Sequence, residues 1–124
     1  MKKLILILVG ILTLSCSKES KTKYSIHSEK VFLVITKTST EDELMKIASE
    51  FKVKKNIKID FSKTEFSENG KIENLDLQVD CNDGFKGNTQ SSGLLLLTKN
   101  YGFFRDYSEN PEVPFMVGEI QNLQ

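Results

Sequence analysis

The side chains that could support catalysis in this sequence are few, because its 124 residues include two cysteines and one histidine. Cys81 and His27 are the candidates for a thiol–imidazole dyad, which needs an exposed thiolate within hydrogen-bond reach of the imidazole. Cys81 continues the alternation of Leu77 and Val79, a pattern that favours a small buried hydrophobic side chain. We therefore predict no catalytic residues and a protein that is not an enzyme.

The segment DCNDG, residues 80–84, groups oxygen-bearing side chains as a calcium site does. A calcium-binding EF-hand loop has Gly at its sixth position and Glu at its twelfth. Counted from Asp80, Gly84 comes one residue early and Ser91 stands at the twelfth position. The sequence therefore favours an ordinary turn, with no metal and no cofactor. A thiol- or metal-dependent sensor or enzyme centred on Cys81 and this turn is the alternative.

The C-terminal part of the chain carries the best candidate for a contact surface. Its segments FFRDY and PEVPF place aromatic residues around Arg105, a composition typical of protein contacts, although small domains also close their own cores in this way. Asp106, Glu109 and Glu112 lie nearby, but no spacing fixes two of them at the separation that paired-carboxylate catalysis needs. The predicted partner-contact residues are Phe103, Phe104, Arg105, Tyr107 and Phe115.

The N-terminal residues 1–15 have the layout of a secretory signal peptide, with the basic start MKK followed by a short apolar stretch. A transmembrane helix needs about 20 apolar residues, so this stretch is short for a permanent span. An uncleaved anchor, or cleavage at another position, is the alternative.

The motif TLSC, residues 13–16, resembles the lipobox of bacterial lipoproteins, with a departure at Thr13, where the family usually has Leu. The resemblance implies that Cys16 is acylated and becomes the mature N-terminus, with Ser15 as the small residue before it. It also implies attachment to a membrane of the cell envelope. In enteric bacteria an Asp directly after the lipidated Cys resembles a signal for retention in the inner membrane. This chain has Ser17 at that position, so we expect the protein at the outer membrane.

The charge balance bears on possible partners. Removal of residues 1–15 takes away Lys2 and Lys3 and leaves 15 basic against 17 acidic residues, a net charge of −2. A nucleic-acid-binding protein needs a basic face, so no nucleic-acid partner is expected. Attachment to the membrane then depends on the acyl chains rather than on a polybasic segment.

We interpret residues 16–29 as the lipidated Cys and a flexible polar tether, and residues 30–124 as one small domain. The domain opens with a predicted strand over 30–38, in which Val31 and Leu33 alternate with apolar residues on the other face. Apolar residues on both faces indicate an interior strand.

The segment after this strand predicts an amphipathic helix over 41–54. Thr40 and Glu43 match a capping box, and the acidic first turn suits the positive end of the helix dipole. Asn56 can adopt the left-handed conformation that ends a helix. The predicted buried stripe consists of Leu44, Ile47, Ala48 and Phe51.

A hairpin follows, and its register can be predicted. A two-residue turn at Asn69 and Gly70 would set the apolar face of one strand against the polar face of the other. A three-residue loop over 68–70 instead pairs Ile59 with Val79, and it uses Gly70 in a left-handed conformation. We predict the three-residue loop.

Beyond the hairpin, residues 82–93 are expected to form a mobile loop and residues 94–99 a short strand. The tail has no clear period, and its apolar residues are expected to cover the sheet. The predicted fold class is α+β, in the order β-α-β-β-β, with one helix on one face of a small, largely antiparallel sheet.

Residues 35–79 have the sequence ITKTSTEDELMKIASEFKVKKNIKIDFSKTEFSENGKIENLDLQV. This segment resembles a module in the non-catalytic extracytoplasmic region of BlaR1-type M56 peptidases of Bacteroidota. The shared points are ITK, the amphipathic helix, an IDFS-like strand and NGKIENLDL. The resemblance implies a βαββ envelope module. The zinc peptidase chemistry of the family is not implied, because the chain has no H-E-x-x-H motif.

From these observations we predict a lipid-anchored, non-enzymatic envelope protein that binds a protein or peptide, along a free sheet edge in the simplest case. A purely structural lipoprotein is a further alternative.

Overall fold

The computed structural model describes residues 21–121, so the predicted signal peptide and the predicted lipid site Cys16 lie outside the described residues. In this part of the chain the elements are β1 (Lys23–Ile26), β2 (Lys30–Ile35), α1 (Glu41–Lys55), β3 (Lys58–Asp60), β4 (Glu65–Phe66), β5 (Ile72–Asp80), β6 (Lys86–Ser92), α2 (Gly93–Leu96), β7 (Tyr101–Asp106) and β8 (Phe115–Glu119).

The strands form two antiparallel sheets, and the predicted α+β class is confirmed. The first sheet has the order β1-β2-β7-β8. In the second sheet β5 pairs with β3 and β4 along one edge and with β6 along the other. The predicted interior position of β2 is also confirmed, because β2 lies between β1 and β7.

Helix α1 begins and ends where its sequence signals place it. The Thr40 hydroxyl accepts a hydrogen bond from the Glu43 amide, which satisfies a donor that the first turn leaves free. Asn56 ends the helix in a left-handed conformation with φ of 56°. The predicted stripe faces the core, with Phe51 fully buried at a ring-centroid distance of 5.3 Å from Phe103 of β7.

The predicted register of the hairpin is confirmed. Ile59 pairs with Val79 in β3 and β5, and Phe66 pairs with Ile72 in β4 and β5. Gly70 has a φ of 82°, the left-handed conformation that the three-residue loop requires. Strand β3 ends at Asp60, so Phe61, which the same register would set opposite Leu77, is not part of the ladder.

The predicted tether is wrong over Lys23–Ile26, which form β1 and pair with β2. The segment is short and mostly polar, so its period-2 pattern is weak. Tertiary contacts stabilise the strand instead: the Tyr24 hydroxyl donates to Glu50 of α1 at 2.6 Å, and the Tyr24 ring lies near Phe51.

The predicted loop at 82–93 is wrong over Lys86–Ser92, and the predicted strand at 94–99 is wrong. Residues Lys86–Ser92 form β6, a polar strand that pairs with β5 along its length through backbone hydrogen bonds. The apolar run then forms the single helical turn α2, because the Ser92 hydroxyl caps it by accepting from the Leu95 amide at 3.3 Å. The polar side chains of 86–92 had indicated a loop, but backbone pairing with β5 makes this segment a strand. The apolar content of 94–99 had indicated a strand, but the Ser92 cap starts a helical turn there.

The tail without a period forms the hairpin β7–β8, and β7 is an interior strand of the first sheet. At Gly102 the strands approach so closely that a Cβ atom would lie 1.8 Å from the Leu33 carbonyl oxygen. Only glycine fits at this position. Beside β8, the Gly87 backbone of β6 packs on Phe115 and Val117, which brings the two sheets together.

Candidate functional site

The structure separates the five predicted contact residues into three environments. Strand alternation places Phe103 on the inner face of the first sheet, where it is fully buried against α1. Phe104 lies on the opposite, outer face. Arg105 and Phe115 pair across β7 and β8 on the inner face, and Tyr107 follows the end of β7. The five residues therefore do not form one surface.

Arg105 is held inside the molecule rather than offered to a partner. Its guanidinium lies 4.4 Å from the centroid of the Phe85 ring and 4.5 Å from that of Tyr107. Nε and Nη2 donate to the same carboxylate oxygen of Asp83 at 3.0 and 2.9 Å, and Nη1 donates to the carbonyl oxygen of Pro114 at 3.1 Å. This arginine cluster joins the β5–β6 turn to β7 and to the loop before β8.

Cys81 lies next to this cluster and is 4% exposed, as predicted for a small buried hydrophobic side chain. Burial raises the pKa of its thiol to about 12, and the nearby Asp83 carboxylate adds to the rise. His27 is exposed in the turn between β1 and β2. A thiol with this pKa is protonated at neutral pH and is a poor nucleophile.

The carboxylates of the turn at residues 80–84 are engaged in holding the turn. Asp80 accepts from the Asn82 amide at 2.9 Å, and Asp83 accepts from the Phe85 amide at 3.2 Å as well as from Arg105. Within residues 21–121 there is no group of three or more His, Cys, Asp or Glu side chains that could hold a metal ion. The geometry is that of a turn closed by its own side chains.

The acidic residues near Arg105 do not form a pair either. Asp106 accepts two hydrogen bonds from Ser108, which lower the pKa of its carboxyl group, and it lies 3.8 Å from the Lys30 ammonium. Glu109 and Glu112 are exposed in the loop between β7 and β8. The arrangement shows no geometry for paired-carboxylate catalysis.

The outer face of the first sheet is apolar, which is unusual for the solvent side of an antiparallel sheet. Phe32, Phe104 and Met116 stand opposite one another on β2, β7 and β8 and form a row across three strands. All three are half-buried and lie outside the central core cluster. Next to the row, Gly102 is buried beneath Ile120, whose Cδ1 atom lies 3.2 Å from where a Cβ atom at Gly102 would stand. We call the row of three residues the outer sheet face.

Sequence reasoning identified part of this surface and missed its organisation. The second apolar face of β2 is visible in the sequence, and Phe104 was predicted as a contact residue. Met116 was expected to cover the sheet rather than to extend the row. The alignment of the three residues depends on pairing between strands that are far apart in sequence, which no local period shows.

A second concave surface lies on the polar face of the second sheet, with a volume of about 610 Å³. Sequence reasoning did not single out its residues, because alternating polar residues are what any solvated sheet face shows. Lysines and aspartates are neighbours there, as with Lys58 opposite Asp80, so the charges offset one another. The lining includes Lys58, Asp60, Lys63, Gln78, Lys86 and Asn88.

Comparison of the sequence with known protein families, with curated proteins and with solved structures gives no significant match. The two resemblances described above therefore stay predictions. Among residues 21–121, no helix has both the length and the apolar content to cross a membrane.

Proposed function

We propose that this protein is a lipoprotein of a bacterial cell envelope that is anchored through Cys16 and binds a protein or peptide partner on its outer sheet face. The anchoring part of the proposal is supported by the sequence of a basic start, an apolar stretch and the TLSC motif. We place the protein at the outer membrane and assign it no enzymatic activity.

The observation that carries the binding part is the apolar row on the outer sheet face. The described helices pack elsewhere, since α1 contacts the inner face through Phe51 and Phe103, and α2 contacts β5 and β6. Contiguous apolar surface that is rimmed by polar residues is characteristic of protein contact sites. The salt bridge of Lys30 with Asp106 provides such a rim at one end of the row.

The geometry of this face suits a protein or peptide partner. Three side chains on neighbouring strands span two strand intervals, about 10 Å, which is the width of two or three apolar side chains. Because strand pairing fixes the backbone of these residues, binding costs no backbone ordering and only the side chains lose conformational entropy. These three side chains make the proposed contact, since the buried Ile120 covers the neighbouring Gly102.

Binding along a sheet edge has less support than binding on the face. Strand β6 is the longest edge, but its Gly87 backbone packs against Phe115 and Val117 of β8. The side chains of β6 are mostly polar, so a peptide strand added to its free edge would gain backbone hydrogen bonds but few apolar contacts. We therefore place the contact on the face.

A photocrosslinking experiment tests this proposal. The photoreactive residue p-benzoylphenylalanine replaces Phe104 in the full chain, and in a control chain it replaces Val53, which is 81% exposed on α1. We expect irradiation of intact cells to give a discrete crosslinked product with an envelope protein from position 104 and none from position 53. Absence of any product at position 104 would favour the purely structural lipoprotein, and a product of two copies of this chain would replace the foreign partner with self-association.

The alternative class, an enzyme or sensor centred on Cys81 and residues 80–84, has less support in the geometry. The thiol is buried with a raised pKa. Asp83 is the carboxylate of this turn that could serve as a metal ligand, but Arg105 already binds it through two nitrogen atoms. A ligand at this turn would have to displace a charge-assisted pair that the fold uses to join its segments.

A further inference from the structure

Three leucines of the turn at α2 project into solvent. Leu94 is 78% exposed, Leu95 43% and Leu97 57%, whereas Leu96 between them is 3% exposed and anchors the turn. Single exposed apolar residues are common, but three within four positions form a contiguous apolar tip. We call Leu94, Leu95 and Leu97 the leucine tip.

The leucine tip is rigidly presented. Besides the Ser92 cap, the Lys99 amide donates to the Leu95 carbonyl at 2.8 Å and closes the turn. Gly93 begins the turn so close to β5 that a Cβ atom would lie 2.9 Å from the Glu73 carbonyl oxygen. The cap, the closing hydrogen bond and the close contact of Gly93 with β5 therefore fix the backbone that carries the three exposed leucines.

The position of the leucine tip follows from the strand register. The tip leads into Tyr101, which pairs with Ile35, and the neighbouring Val34 pairs with Lys23 at the start of β1. Leu97 stands four residues before Tyr101, so the leucine tip lies within about 14 Å of the end of the first sheet at which the described chain begins. Thr22 is fixed there, since its hydroxyl donates to the Glu43 carboxylate at 2.6 Å and bonds to the Ser39 hydroxyl.

Cys16 stands six residues before Thr22 in the sequence. An extended chain covers at most about 3.5 Å per residue, so the lipid attachment point lies within about 20 Å of Thr22. This step rests on the proposed acylation of Cys16. Under that proposal, the end of the domain that carries the leucine tip is the end held at the bilayer.

We propose that the leucine tip inserts into the lipid bilayer beside the acyl chains and fixes the orientation of the domain on the membrane. Burial of apolar side chains at the boundary of headgroups and acyl chains is favourable and adds to lipid anchoring. The insertion is shallow, because Glu41, Asp42 and Glu43 begin α1 at the same end and stay in water.

Depth-dependent fluorescence quenching tests this proposal on the mature lipoprotein. The variant Leu94→Cys carries a nitrobenzoxadiazole label, and Val53→Cys serves as the control, since position 53 is 81% exposed and about 18 Å along α1 from its start. The native thiols do not compete, because Cys81 is buried with a pKa of about 12 and acylation blocks Cys16. Both proteins are reconstituted in vesicles of phosphatidylethanolamine and phosphatidylglycerol, with and without doxyl-labelled acyl chains.

We expect the label at position 94 to shift its emission to the blue and to lose most of its fluorescence to the doxyl quencher, and the label at position 53 to do neither. A label at position 94 that emits as in water overturns the proposal. So does a blue shift without lipid quenching that disappears on dilution, which would mean that the leucine tip contacts a second copy. A label at position 94 that shifts to the blue in native envelopes, but not in vesicles that contain this protein alone, would assign the leucine tip to a protein partner. This result also overturns the proposal.

The mass of the purified protein separates the two proposals. If the acyl chains are missing from Cys16, the proposed anchoring fails and this inference fails with it. If the protein is acylated and position 94 stays in water, the inference about the leucine tip alone is wrong. Leu97→Cys, at a second exposed position of the tip, repeats the measurement in case the label at position 94 perturbs the turn.

Discussion

Arg105 illustrates how a residue with the chemistry of a contact site can be structural. Its guanidinium stacks between Phe85 and Tyr107 and donates to Asp83 and to the carbonyl oxygen of Pro114. A planar, multidentate donor can join a turn, a strand and a loop in this way, and a lysine ammonium cannot. The aromatic composition around Arg105 led to the prediction of a partner contact, whereas the contacts of this arginine in the structure are within the chain.

The thiol of Cys81 gives a prediction at the same scale. In a Cys16→Ser chain, where Cys81 is the remaining cysteine, iodoacetamide at neutral pH should label the folded protein more slowly than the unfolded protein. The reason is that burial raises the pKa of Cys81 to about 12. The measurement is the alkylation rate by mass spectrometry, with and without denaturant. Faster labelling of the folded protein would reveal an activated thiolate. It would favour the sensor or enzyme class over the non-enzymatic binding protein.

The pH dependence of this labelling follows from the direction of the shift. Raising the pH toward about 9 should accelerate labelling of the unfolded chain, whose thiol has an ordinary pKa of about 8.5, and hardly change labelling of the folded protein. Because the folded-state pKa is the higher one, the contribution of Cys81 to stability is complete below the unfolded-state pKa. That contribution falls as the pH rises through the folded-state value.

Among the secondary-structure elements, α1 is the one in which substitutions test the packing of the core. Phe51→Ala removes a fully buried ring that contacts Phe103 and Tyr24, so it should lower the free energy of unfolding by about 3 to 5 kcal/mol. Val53→Ala on the same helix is the matched control, because Val53 is 81% exposed and its loss should change stability little. Denaturant midpoints of the two variants provide the measurement. Equal midpoints would show that α1 does not bury the face of Phe51.

The elements that could be predicted are those whose signals lie within the element. Helix α1 has its cap, its stripe and its C-terminal Asn56 within one short segment, and the hairpin register depends on Gly70 and two alternating strands. Strand β6 and helix α2 could not be predicted, since a polar edge strand is stabilised by its partner β5 and a leucine run has no period. The outer sheet face was predicted in fragments, because it joins strands from both ends of the chain.

At the scale of the whole molecule, the proposed anchoring depends on one atom, the sulfur of Cys16. Cys16→Ala should abolish acylation and leave the precursor uncleaved by the lipoprotein signal peptidase, because no thiol remains to carry the diacylglycerol. Metabolic labelling with a fatty-acid probe and the size of the cellular protein measure both effects. Cys81→Ala serves as the control and should be labelled and processed normally. Continued labelling of the Cys16→Ala protein would exclude this residue as the lipid site.

The pairing of β2 with β7 has a consequence for when the domain can fold. It joins Ile35 to Tyr101, and β8 completes the same sheet only at Glu119. Contacts between residues so distant in sequence slow folding, because the connecting chain has to be closed into a loop before they form. The first sheet therefore stays incomplete until β8 is available, and under the proposed lipoprotein assignment the chain would cross the membrane as an extended polypeptide before this sheet closes.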